Sequence, residues 1–326
     1  MDLDVVFLGT SGSTPTARRA LAATLVRRGG DRLLFDCAEG TQRQLLRSDV
    51  GLVELEEIFL THYHADHYLG LPGMLKTFSL RGRELPLTIY GPRGLRDLLT
   101  TLRRIFGRLS YPLETVELEP GEILERDGHR LQTFAVEHGM SALGYALVEA
   151  VRPGRFDVET ADRLGVPDGP ARGLLQRGEH VTLPDGRVVA PDDVLGPPRD
   201  GRKLVLTGDT APAASVVEAA AGADVLVHEA TFLAPERDRA RETMHSTAGE
   251  AALVAREARV ELLALTHVST RYFGHEVVAE ARELFPETVV PRDFDVVQIP
   301  FPERGAPELV RAGARTERDT LGSREP

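Results

Sequence analysis

The feature that most restricts this chain is His62-Tyr63-His64-Ala65-Asp66-His67, three histidines and an aspartate within six residues. Ile58-Phe59-Leu60 before it reads as the end of a buried strand. Tyr68-Leu69-Gly70-Leu71-Pro72-Gly73 after it is a small-residue turn that leads into a helical pattern. Four polar side chains therefore stand where a strand stops and a helix begins, at a sheet edge. Imidazole nitrogens and a carboxylate suit zinc and similar divalent ions. Two ligand sets fit so short a loop. His62 and His64 alternate along extended backbone and can point together at one ion, whereas Asp66 and His67 follow the bend and can point at a second. The plain alternative is a solvated, histidine-rich turn, but four ligand-type residues at a strand end are a more specific signal than a lone pair.

The chain has 326 residues, enough for one large domain or two ordinary ones. No apolar run approaches the length of a bilayer span. Met1–Leu8 passes straight into a strand-like run with no basic leader, and the single cysteine, Cys37, excludes an internal disulfide. A cytoplasmic setting is the expectation, with Cys37 a small core residue. The net charge of −11 argues against a nucleic-acid protein. Charge is uneven, however: Lys76, Arg81, Arg83, Arg93, Arg96, Arg103, Arg104 and Arg108 face only Glu84 and Asp97 between Lys76 and Ser110, a balance of +6 directly after the metal-type loop. A charge run is commonly a solvated helix face; beside a metal site it can face a polyanion.

Residues 2–9, 22–26 and 32–36 read as strands and 40–47 as a helix, a mixture that predicts a mixed α/β sandwich. Further polar residues stand at strand ends. Leu131–Val136 runs into Glu137-His138-Gly139. Lys203–Leu206 runs into Thr207-Gly208-Asp209-Thr210, before a helix over 213–221 that Asp209 could instead cap. Asp224–Val227 runs into His228-Glu229-Ala230-Thr231, and Met244-His245-Ser246-Thr247 precedes a helix over 248–258 capped by Ser246 or Thr247. Leu262–Leu265 ends in Thr266-His267-Val268-Ser269-Thr270-Arg271, so Leu-Thr-His closes a hydrophobic strand twice. His129, His180 and His275 match no motif and read as surface or structural, and His228 as a strand residue. Residues 151–197, rich in glycine, proline and arginine, lack apolar periodicity and read as a linker or a functional arm. From 303 onward the chain reads as a mobile tail.

His-x-His-x-Asp-His after a hydrophobic strand resembles the signature of the metallo-β-lactamase superfamily. Two further runs, His228-Glu229-Ala230-Thr231 and Gly165-Val166-Pro167-Asp168-Gly169-Pro170-Ala171-Arg172-Gly173, narrow the resemblance to the ribonuclease Z family of tRNA 3′-processing endonucleases. The resemblance implies a four-layer αββα sandwich over 1–302 with an inserted flexible tRNA-binding arm at 151–197, leaving 303–326 as the disordered tail that composition suggests. It implies two zinc ions per subunit, the first on His62, His64 and His138, the second on Asp66, His67 and His267, with Asp209 bridging. It further implies that Asp66 takes a proton from the attacking water and that His245, oriented by Glu229, protonates the leaving 3′-oxygen. Arg271 and the arm residues Gly165, Pro167, Gly169, Pro170 and Gly173 are expected substrate contacts. The arm's five arginines against four acids, from Arg152 to Arg177, leave only +1, so its glycines and prolines rather than its charge would present backbone N–H groups to phosphates. Precursor tRNA is the implied partner, and a homodimer the implied assembly, one subunit's arm holding RNA that the other cuts. Many family members carry Pro-x-Lys-x-Arg-Asn where this chain has Pro15-Thr16-Ala17-Arg18-Arg19-Ala20; Ala17 and Ala20 leave open where the cut falls relative to a CCA end. Two other readings share these residues: a small-molecule phosphodiesterase, which needs the metals but not the arm, and a catalytically silent RNA-binding scaffold.

Overall fold

The computed structural model describes residues 1–52 and 55–313. Strands follow in the order β1 (Leu3–Gly9), β2 (Ala23–Arg28), β3 (Asp31–Phe35), β4 (Glu57–Phe59), β5 (Leu87–Pro92), β6 (Leu113–Leu118), β7 (Ile123–Arg126), β8 (His129–Ala135), β9 (Leu143–Glu149), β10 (Val181–Thr182), β11 (Val188–Val189), β12 (Lys203–Leu206), β13 (Val225–Glu229), β14 (Leu262–Thr266), β15 (Thr288–Val289), β16 (Val296–Gln298) and β17 (Glu308–Val310). The helices are α1 (Thr41–Arg47), α2 (Ala65–Tyr68), α3 (Leu71–Leu80), α4 (Leu95–Phe106), α5 (Val158–Leu164), α6 (Pro170–Gln176), α7 (Ala214–Ala220), α8 (Arg237–Glu242), α9 (Ala248–Ala258) and α10 (Gly274–Arg282). They form two compact units: residues 1–125, 131–147 and 203 onward, and the smaller 126–130 with 148–202.

In the larger unit, one sheet runs β17-β16-β1-β2-β3-β4-β5-β6 and another β15-β14-β13-β12-β9-β8-β7. Successive side chains on a strand face opposite ways, and the strands are apolar on both faces. Val6, Leu8, Leu25, Leu34 and Ile58 pack beneath α1, α3 and α4 with Leu45, Leu75 and Leu99. Val5, Phe7, Val26, Phe35 and Phe59 pack instead against Tyr145, Leu204, Leu206, Val225 and Val227 of the second sheet. Helices α7, α9 and α10 cover the second sheet's other face. This is the expected αββα sandwich. Strands β3 to β6 are mutually parallel, as are β12 to β15. Parallel strands send all their carboxyl ends to one edge, where open α/β sheets carry their sites. Leu60–His62, Thr207–Asp209, Ala230–Thr231 and His267 all follow such ends.

Two expectations need correction. Residues 303–313 are not a loose tail: β17 pairs antiparallel with β16, Val296 opposite Val310, and Arg311 is ion-paired with the buried Asp295. Pairing with a strand 12 residues away supplies an order that local composition does not signal. The rest of that stretch, 314–326, lies outside the described residues. The inserted segment is also built rather than irregular. Helices α5 and α6 and the β10–β11 hairpin bury Ala161, Val166, Leu175, Val181, Leu183, Val189 and Val194 in a core of their own. Its elements are too short for a periodic pattern to emerge. Gly165 closes α5 at φ +79° and Pro170 opens α6, so the glycine-proline run is the corner between two helices.

At the root of this unit, Arg202 grips Glu149 through two parallel bonds, Nε to Oε2 at 2.7 Å and Nη2 to Oε1 at 2.8 Å. The two are 1% and 7% exposed. Removing one partner strands a buried charge, which costs about 3–5 kcal/mol. Arg202→Ala is therefore expected to lower stability by about that amount in denaturant unfolding; an unchanged unfolding midpoint would contradict this role.

Candidate metal centre

The edge loops are pinned before any ligand is placed. Asp36, just past β3, adopts φ +59°, a left-handed conformation that aspartate tolerates. Its carboxylate accepts the Thr61 N–H at 2.8 Å, the Thr61 hydroxyl at 2.9 Å and the His67 Nδ1–H at 2.7 Å. One side chain thus fixes both ends of the histidine loop. Gly208 lies so close to this loop that a Cβ there would stand 2.7 Å from the Cβ of Thr61. A Cβ at Gly12 would likewise stand 2.7 Å from His267 Nδ1. His267 itself is held at φ +56°, a strained conformation for a histidine of the kind found at functional sites.

Through His64 the chain is extended (φ −71°, ψ 147°), and α2 then turns, setting His62 and His64 on one side and Asp66 and His67 on another. His62 Nε2 and His138 Nε2 each lie 3.0 Å from His64 Nδ1. In the second group, His267 Nε2 is 3.3 Å from Asp66 Oδ2 and 3.3 Å from His67 Nε2. Between the groups lies Asp209, whose Oδ2 is 3.7 Å from His62, 3.2 Å from His67 and 3.4 Å from His267. Helix α7 is capped at Ala213, so Asp209 is no N-cap. The expected seven side chains converge.

Their chemistry fits divalent cations. Lone-pair nitrogens at 3.0 Å repel one another unless a proton or a cation stands between them. Asp209 Oδ1 is buried without a hydrogen-bond partner, a costly orphan in a protein and a ready ligand atom. Burial, with neighbouring imidazoles, holds His62 well below its usual pKa; burial likewise lowers His138, leaving both in the neutral form that ligates. Burial alone would raise Asp209 and Asp66, but His267 and His67 outweigh it, and both remain carboxylates. His67 moves the other way, because Asp209 and Asp36 overcome its burial. The centre draws in positive charge.

Beside it lies a second ionic pair. Glu229, at the end of β13, accepts the His245 Nδ1–H at 2.7 Å, the Thr210 N–H at 3.1 Å, and the Thr231 N–H and hydroxyl at 2.9 and 2.6 Å. Burial lowers His245, but the Glu229 carboxylate, helped by Asp209, overrides it and lifts the imidazole to about 9. Thr231 links this pair to the candidate ligands. Its hydroxyl has one proton, given to Glu229, so the 2.9 Å contact with His267 must run from the His267 Nδ1–H to the hydroxyl oxygen. That turns His267 Nε2 toward Asp66, as the Asp36 bond turns the Nε2 of His67 inward.

Other expected residues stand elsewhere. Gly165, Pro167, Gly169, Pro170 and Gly173 belong to the smaller unit. Arg271 lies 3.7 Å from Glu236 and over the Phe232 ring at 5.6 Å. His228 is a buried strand residue, while His129 is buried rather than exposed. Cys37 is buried, and burial raises its thiol pKa. Sequence reasoning missed Asp36, Thr231 and Ser13, whose N–H donates to Asp66 Oδ2 at 2.8 Å. An aspartate directly after a core strand was the available signal for Asp36.

Such an edge site on an αββα sandwich defines a class, and the profile described as "Metallo-beta-lactamase superfamily" matches residues 18–267. Within that class the chain is 48% identical over 303 residues to ribonuclease Z of Myxococcus xanthus, covering 92% of this chain and 98% of that protein. It is 43% identical over 302 residues to ribonuclease Z of Methanosarcina acetivorans, covering 92% and 99%. The crystal structure of human tRNase Z, short form, superposes with a TM-score of 0.67 at 28% identity over 91% of this chain and 99% of that chain. The chain belongs to the ribonuclease Z family.

Lost orientation of a ligating histidine typically weakens metal binding by about 10–100-fold. Thr231→Val should therefore weaken metal binding by about that factor in competition with a chromogenic chelator, and Thr231→Ser should restore it. Equal affinity in all three proteins would show that the hydroxyl does not set the tautomer.

Proposed function

We propose that this protein is an endoribonuclease that removes the 3′ trailer from precursor tRNA and leaves a 3′-hydroxyl, working with two zinc ions on His62, His64, His138, Asp66, His67, His267 and Asp209. What supports this most is the convergence of those seven side chains beside the buried Glu229–His245 pair. When bound, the two ions supply water that ionises near neutral pH and offset the charge of the phosphate. The chain's own groups handle the protons. Asp66, held as a carboxylate by His267 and the Ser13 N–H, accepts a proton from the attacking water. His245 carries a proton at neutral pH and gives it to the departing 3′-oxygen, while Glu229 stabilises the imidazolium and fixes its ring. A ribose oxygen is a poor leaving group as an alkoxide, so this step demands an acid.

Arg271, half-exposed and only loosely held by Glu236, is free to turn to a substrate phosphate. The glycine-proline corner between α5 and α6 offers the tRNA a surface of small side chains. A homodimer and a cytoplasmic setting complete the reading, both supported by the family resemblance. Among the described residues no helix is long and apolar enough to cross a membrane.

His245→Ala should slow cleavage of a 3′-extended precursor tRNA by about 10²–10⁴-fold. It should lose far less on bis(p-nitrophenyl) phosphate, whose leaving group needs no proton. Equal losses on both would remove His245 from the acid role, and wild-type turnover of the small diester alone would favour the phosphodiesterase reading. Because Glu229 raises the His245 pKa, Glu229→Gln lowers it. The alkaline fall in tRNA cleavage should then begin at lower pH; an unmoved limb would contradict the pairing.

A further inference from the structure

Next to the metal centre, and sharing Ser11 and Val268 with its loops, the larger unit has a depression of about 880 Å³. Its lining is unusual for a chain of net charge −11: it includes five arginines and no aspartate or glutamate. Three of the five have structural bonds. Arg19 donates to Thr10 Oγ1 at 2.6 Å and to the Pro291 carbonyl at 3.0 Å, Arg282 donates to the Thr288 carbonyl at 2.9 Å, and Arg311 pairs with Asp295. The guanidinium groups of Arg18 and Arg292 have no hydrogen-bond or ion-pair partner among the described residues, and both are exposed. At the same rim Phe273 is 69% exposed, a high value for a phenylalanine, and its ring stacks on His275 with centroids 5.7 Å apart and planes 17° apart.

Each component has a physical meaning. A cleft lined by arginines and by no carboxylate, with Asp293 and Asp295 set behind Arg19 and Arg311, favours an anionic chain even on an acidic protein. Unpaired arginines at its surface are free to meet phosphates. An exposed aromatic face supports an unstacked base. The volume holds a ligand of drug size, that is, one or two nucleotides. A double helix is too wide for it, so on the tRNA-processing reading the acceptor stem cannot enter. The unpaired strand beyond the cut can.

We infer that this depression is a binding subsite for the trailer, the first unpaired nucleotides 3′ of the cleaved bond, with Arg18 and Arg292 on their phosphates and Phe273 beneath a base. The inference rests on the tRNA-processing reading, and trailer length separates the two. Precursor tRNAs with trailers graded from a single nucleotide to about eight would be cleaved by wild type, Arg18→Ala/Arg292→Ala and Phe273→Ala, with KM and kcat read separately. For wild type, KM should fall over the first few trailer nucleotides and then level off. The double variant and Phe273→Ala should each raise KM by about tenfold on long trailers and by less than about twofold on the single-nucleotide trailer. Phe273→Trp should behave as wild type, since stacking survives. A rise that is the same at every trailer length, or no rise, overturns the subsite while leaving tRNA cleavage intact. Failure of wild type to cut any precursor removes both.

Discussion

A carboxylate buried among imidazoles is the interaction on which this structure turns. Asp209 is 3% exposed, stays charged, and reaches His62, His67 and His267 with one oxygen while the other has no partner. Without compensation such a charge would cost several kcal/mol. The compensation comes from histidines on two other loops, and those loops meet only because the parallel strands of both sheets release their carboxyl ends at a common edge. Sheet topology, ligand convergence and the charge state of the centre are therefore one constraint seen at three scales.

Around that centre, hydrogen bonds decide which nitrogen faces inward. Asp36 does so for His67 and Thr231 for His267. Thr231 also touches Glu229, so the proposed metal ligands and the proposed acid pair share a hydroxyl. The two cannot be altered independently, which is a reason for such a short spacing between the chemistry of attack and that of departure. Charge is arranged on the same principle of local placement. The chain is acidic overall, yet the depression beside the metal loops has no acidic lining.

Much of this was legible in the sequence, for identifiable reasons. His62, His64, Asp66 and His67 lie within six residues, so spacing alone reveals them. His138, Asp209, Glu229 and His267 each stand at the end of a hydrophobic strand, which places them at the edge, while the family resemblance is what gives them their expected roles. Asp36 follows a core strand too, but its role was not legible, since its partners Thr61 and His67 are 25 and 31 residues away. The bond from His267 to Thr231 spans 36 residues and is visible only in three dimensions. The inserted unit concealed its core by dividing seven buried apolar residues among short elements. At the other end, β17 is three residues long and exists because β16 offers it an edge.

The most direct test of the central claim is to strip the protein of metal and titrate zinc back while following cleavage of a 3′-extended precursor tRNA and mapping the product end. The account predicts no cleavage without metal, full activity near about two ions per chain, and a tRNA ending in a 3′-hydroxyl. Cleavage by metal-free protein, or full activity at a single equivalent, would contradict an Asp209-centred pair of metal sites.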